Sequence, residues 1–182
     1  MNTHASQPRQ LPPEIARYVN GPTEEGKQFD FLIGEWDVRG KRYQPDGSVL
    51  FEYSGDWRAQ YLCGGRIVMD EFTMHGPEGR PVSSFVTLRT YSQTNGRWEV
   101  AGMQALEGTP MSDWHGNWQN GEMVLEFSVL DAEGKPLKNR IRFFNIERDR
   151  FEWEIRHFTH GGQQWNSPLG TLEARRLGSA LS

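Results

Sequence analysis

From Glu35 onward, apolar and polar residues alternate in short runs, and each run ends on residues that tolerate a tight turn. The turns fall at Pro45-Asp46-Gly47, Cys63-Gly64-Gly65, His75 to Gly79, Thr94-Asn95-Gly96, Gln119-Asn120-Gly121, Asp131 to Gly134, Arg148-Asp149 and His160 to Gly162. A period of two bounded by such residues predicts β-strands joined by hairpins. The strands are expected near 35–44, 49–60, 66–74, 81–92, 97–106, 112–118, 122–130, 138–147, 150–159 and 170–177. A meander of this length has two unpaired edges, and closing it into a barrel removes both. The expected fold is therefore all-β, a single antiparallel up-and-down barrel of about ten strands.

Alternation also sorts the faces. Met123, Leu125, Phe127 and Val129 share one side of their strand, against Glu126 and Ser128. Phe151, Trp153, Ile155 and His157 form a matching row, opposed by Glu152, Glu154 and Arg156. By the same rule Ile141, Phe143 and Asn145 are expected to point inward and Arg142 outward, where charges on neighbouring strands pair.

Ahead of the strands, Thr23 is placed to cap a short helix reaching Ile33, with Glu24 and Glu25 suited to its positive end and Gly34 breaking it. Residues 1–22 are expected to form a leader or lid with a helical turn at Pro13 to Val19, and residues 23–178 the barrel domain.

At 182 residues the chain suits one core. The 7 Trp, 10 Phe and 5 Tyr supply large buried area from few positions. The net charge of -4, with both signs interspersed, provides no electrostatic footprint for nucleic acid. No apolar run is long enough for a secretory signal or a membrane span, which predicts a cytoplasmic protein with no membrane partner. Cys63 is the only cysteine, so no intramolecular disulfide can form; it is expected to be a small buried or half-buried filler beside Gly64 and Gly65.

The segment Phe29-Asp30-Phe31-Leu32-Ile33-Gly34-Glu35-Trp36-Asp37-Val38 resembles the opening signature of calycin-type barrels, a short helix followed by Gly-x-Trp at the start of the first strand. In lipocalins that tryptophan closes one barrel end against an arginine of the last strand; the resemblance puts Trp36 there, with Arg175 or Arg176 as its partner. A closer likeness, over most of residues 23–177, is to an uncharacterised bacterial family of lipocalin-like domains that continues through a Tyr-containing strand, a turn and a Trp strand, as in Leu88 to Trp98. Nitrobindin-like haem barrels are a more distant likeness. Their first strand carries repeated glycines and a Tyr-Pro pair where this chain has Val38-Arg39-Gly40-Lys41-Arg42-Tyr43, while His157 occupies a late strand as a proximal haem ligand would.

Among candidate groups, His157 faces an expected apolar interior, where an imidazole could coordinate iron, move a proton or orient a polar ligand group; it could equally be satisfied by Asn145 or by backbone. Asp113, His115 and Asn117 alternate on one face and would form an acid–base pair if inward, but burying Trp114 and Trp118 instead favours the opposite register. Of Asp70 and Glu71 one must point inward, as a general acid or as an ion-pair partner of Arg89 or Arg58. A metal site assembled from His75, His115, His157 and His160 has no ligand motif behind it, and no metal is expected. No nucleophile triad, phosphate loop or dinucleotide fingerprint is present.

These features predict a barrel that binds a small, largely apolar molecule between Phe127, Phe143, Asn145, Trp153, Ile155 and His157. The alternatives are a cofactor-free isomerase or cyclase using His157, Asp113 or Glu71, haem binding through His157, and a module whose outer sheet face pairs two copies into a homodimer.

Overall fold

The computed structural model describes residues 11–13, 15–16, 23–111, 113–131, 133–158, 161–162 and 167–178. Its strands are β1 (Gly34–Tyr43), β2 (Val49–Leu62), β3 (Ile67–His75), β4 (Pro81–Ser92), β5 (Arg97–Gln104), β6 (Thr109–Pro110), β7 (Trp114–Gln119), β8 (Glu122–Leu130), β9 (Pro136–Phe144), β10 (Arg150–His157) and β11 (Gly170–Arg176). Neighbours in sequence pair antiparallel except that β7 pairs with β5 rather than β6, and β1 pairs with β11, which closes a ten-strand barrel with the two-residue β6 as an extra rung on β5.

Each expected strand is present, its ends shifted by at most three residues. The strand expected at 112–118 is β7, which pairs with β5 from Trp98 to Val100, while the far end of β5 pairs with the short β6 that precedes it. The strand expected to reach residue 147 stops at Phe144, because Asn145 turns into left-handed backbone at φ 48°.

The short helical segment before β1 consists of two 3₁₀ turns, Glu25–Lys27 and Asp30–Leu32. Thr23 Oγ1 accepts a bond of 3.4 Å from the Gly26 amide. Phe29 and Leu32 are fully buried and plug the end of the barrel where β1 begins. Pro13, Ile15 and Ala16 are helical, as expected there; the rest of the leader lies outside the described residues.

The inner face follows the pairing register. On β1 the inward row is Trp36, Val38, Gly40 and Arg42, and across the ladder stand Arg176, Ala174, Leu172 and Gly170 of β11. On β8, Met123 and Leu125 are buried, but Val129 is exposed because the strand runs past the rim. The outer face of β8–β11 carries a charge lattice. Arg142 bonds Glu122 and Glu154, Arg140 bonds Glu126, and Arg150 bonds Glu152 and Glu173. No helix among the described residues is long and apolar enough to cross a membrane.

Candidate functional site

One barrel end is sealed. Trp36 is fully buried, its indole N–H donates to the Leu32 carbonyl at 2.8 Å, and the Arg176 guanidinium lies over its ring. Phe151 packs edge to face on Trp36, and Phe31 packs edge to face on Phe151 and Phe143, which fills this half with aromatic rings.

Beyond this plug, toward the far ends of β1 and β3, lies an internal cavity of about 180 Å³. Phe72, Phe85, Phe143, Trp153 and Ile155 form its apolar walls. The polar contributors are Arg42, Tyr53, Ser83, Arg89, Gln104 and the indole of Trp114. Their environment makes them unusual. Arg89 is 2% exposed, yet only its Nη2 is engaged, with Asp70 Oδ1 at 2.8 Å and Thr87 Oγ1 at 3.0 Å. Its Nε and Nη1, together with Gln104 Oε1 and Trp114 Nε1, are buried without a hydrogen-bond partner. Four such atoms in one wall are a concentration that native interiors rarely tolerate.

Asp70 is the inward carboxylate of the Asp70-Glu71 pair. It accepts from Trp57 Nε1 at 2.6 Å, from the Thr87 hydroxyl and from Arg89, so it is committed to structure. Burial pushes the Arg89 guanidinium below its ordinary pKa, while the Asp70 charge acts in the opposite direction. Phe29 lies under the same guanidinium at 4.7 Å. Burial also drives the Tyr53 phenol up to about 12.

The residues singled out from sequence are distributed as follows. Phe143, Trp153 and Ile155 line the cavity. Phe127 shares their inward row but is stacked on Trp114 at 4.8 Å and lies off the cavity. Asn145 is corrected: it is exposed in the turn after β9, and its expected place beside His157 is taken by Asn139, which the register sets directly opposite. The Asn139 side-chain oxygen is bonded to His157 Nδ1. His157 is half-buried and off the cavity wall, and burial, then the nearby Arg42 charge, lower its pKa.

The candidacy of Glu71 and Asp113 for proton transfer in the cavity is corrected as well, Asp113 taking the outward place that the favoured register gave it. Both are exposed, Glu71 on the outer side of β3 across from Arg58, and Asp113 beside His115 on an outer depression. Trp114 is buried as the favoured register requires, although Trp118 is 36% exposed. Cys63 is exposed rather than buried, on a turn at φ 52°. Among the described residues no group of three or more His, Cys, Asp or Glu is placed to hold a metal ion, and His160 lies outside them.

Arg42 and Gln104 were missed, and both were within reach of parity arguments. Arg42 continues the alternation from Trp36 through Val38 and Gly40, and Gln104 continues that from Trp98 through Val100. Long polar residues at the end of a strand read as solvated unless the row is followed to its last member.

Fold and site together define a closed antiparallel β-barrel with a partly polar internal cavity. The solved structure of Rv2717c from M. tuberculosis superimposes on it with a TM-score of 0.60 at 16% identity, covering 85% of this chain and 98% of that one. The S-type phycobiliprotein lyase CPES from Guillardia theta superimposes at 0.55 and 13% identity, covering 85% and 98%. At these identities the likeness is one of fold. No protein-family model matches the sequence, and no curated protein is similar to it in sequence.

Proposed function

We propose that the protein is a lipocalin-like binding barrel that holds one small, largely apolar molecule in the cavity between Phe72, Phe143, Trp153 and Ile155. The observation that carries this reading is the set of orphaned polar atoms on Arg89, Gln104 and Trp114 in the wall of an otherwise apolar cavity. A buried donor or acceptor without a partner costs about 1–3 kcal/mol. A ligand bearing a polar group offsets that cost, and apolar walls with a few placed polar groups are the usual make-up of a small-molecule site. The charge lattice outside β8–β11 suits water rather than lipid.

Binding is favoured over isomerase or cyclase chemistry because, among the described residues, none of the candidate acids and bases Asp70, Glu71, Asp113 and His157 lines the cavity. Asp70 is saturated by three donors, Glu71 and Asp113 are outside, and His157 is off the wall and engaged by Asn139. Haem fits the cavity poorly. A volume of about 180 Å³ is below the roughly 300–1,000 Å³ of drug-sized sites, and His157 does not face it.

Native mass spectrometry of the purified protein, before and after denaturation and with an absorbance scan alongside, tests the reading. A small-molecule adduct lost on denaturation is the expected result, with no Soret band. A bare chain mass that persists after incubation with cell extract would overturn it.

A further inference from the structure

We infer that the ligand carries a single carboxylate, which pairs with the guanidinium of Arg42; this rests on the binding reading above and adds the ligand's charge and size. Arg42 is the last member of the inward row on β1 and lines the cavity. Its register partner on β11 is Gly170, where a Cβ would come within 3.0 Å of Arg42 Nη1 and 3.2 Å of its Cδ. The glycine therefore makes the place in which the guanidinium lies.

The cation has no counter-charge. Among the described residues Arg42 makes no ion pair and no hydrogen bond, whereas Arg89, the other arginine of the cavity wall, is matched by Asp70. Among the described residues, the cavity wall with its paired carboxylate Asp70 therefore carries one more positive than negative charge, at a half-buried position among apolar walls. Burial lowers the pKa of Arg42, and the nearby Tyr53 phenol acts in the opposite direction. An arginine fork matches the two oxygens of a carboxylate.

Size narrows the class. An engineered 150 Å³ cavity in another protein accommodates benzene, so about 180 Å³ admits one ring or a short branched chain with a compact head group. The ligand is accordingly a small aromatic or short-chain monocarboxylate.

Three acid and amide pairs test this by tryptophan fluorescence titration of the full chain at neutral pH: phenylacetate, 3-phenylpropanoate and hexanoate, each against its neutral amide. At least one acid should bind about tenfold more tightly than its amide, the size of one charge-assisted hydrogen bond. Arg42→Met should bring that ratio close to one while leaving amide binding within about twofold. Gly170→Ala, which displaces the guanidinium and leaves its charge, should also lower the ratio and serves if Arg42→Met fails to fold. Equal binding of acids and amides, or a preference that survives both substitutions, overturns the inference and leaves the binding reading standing. Failure of all six probes overturns the inference; the binding reading then stands or falls on the native-mass adduct.

Discussion

The guanidinium of Arg176 lies 4.1 Å above the indole of Trp36, its register partner across the β1–β11 seam. From there Nη1 donates to the Ile33 carbonyl at 2.6 Å, Nη2 to Phe31 at 3.0 Å and Nε to Arg148 at 3.0 Å. One side chain thus ties the 3₁₀ turns, the first and last strands and the β9–β10 turn together. Gly34 permits this: its backbone sits at φ 129°, and a Cβ there would fall 2.4 Å from Arg176 Nη1.

Arg176→Ala is therefore expected to destabilise the fold by about 2–4 kcal/mol, from the loss of a partly desolvated cation–π contact and of the donors to the half-buried Phe31 and Ile33 carbonyls. Arg175→Ala should stay within about 0.5 kcal/mol, because Arg175 is exposed and pairs only with Glu173. Urea unfolding of both variants measures the difference, and equal losses would contradict the assignment of Arg176 as the closing residue.

The Asp70–Arg89 pair predicts a non-additive response. Asp70→Ala leaves a guanidinium buried with no anion, a change expected to cost about 3–5 kcal/mol. Replacing both residues with apolar side chains of similar size, Asp70→Leu with Arg89→Met, should be less damaging than Asp70→Ala alone. Denaturant titration of the parent, Asp70→Ala and the double variant checks this. A double variant at least as unstable as Asp70→Ala would mean the pair does not act as a unit.

The barrel was legible in the sequence because its turns are chemically marked and its strands alternate over eight or more residues, as in Glu122–Leu130. The closing pair was half legible: Trp36 by likeness to lipocalins, Arg176 only as one of two neighbours, since parity relative to Trp36 requires the β1–β11 register. The site was less so. Asn145 was chosen by alternation carried past the end of β9, and counting outward from the turn at Arg148 would have set Asn139 opposite His157. The burial of Trp114 rather than Asp113 was legible from the cost of leaving an indole in water, whereas Trp118 on the same row is 36% exposed. The orphaned atoms depend on three-dimensional packing and have no sequence signal.

Glu71 and Asp113 lie on the outer surface, so Glu71→Gln and Asp113→Asn should each leave ligand affinity within about twofold and stability within about 0.5 kcal/mol. Titration of any ligand identified by native mass spectrometry measures the first quantity. A larger effect of either substitution would reopen an acid–base role for that residue.

Tyr53 sets a high-pH limit. Burial raises its pKa in the folded state to about 12, against 10.0 for the free side chain. The folded state thus holds a proton that the unfolded chain releases between these values. The stability this contributes is complete below pH about 10 and is lost as pH rises through about 12. The loss is on the order of 3 kcal/mol. Tyr53→Phe should flatten that part of the stability profile relative to the parent protein, and coincident profiles from pH 9 to 12 would show that the phenol is not desolvated.

His157 acts in the opposite direction and reports on Arg42. Its pKa in the folded state is lowered, first by burial and then by the Arg42 charge. A depressed imidazole contributes stability that is present above the unfolded value of about 6.5 and is lost as pH falls through the folded value. The protein should therefore lose stability on acidification below neutrality, and His157→Gln should lessen the slope. Removing the cation isolates the second cause: in Arg42→Met the His157 resonance, followed by NMR across pH 4 to 8, should titrate at higher pH than in the parent. A carboxylate ligand bound at Arg42 should move it in the same direction by masking the same charge. If neither perturbation shifts the titration, Arg42 and His157 do not share a field, and the guanidinium is not held over Gly170 beside them.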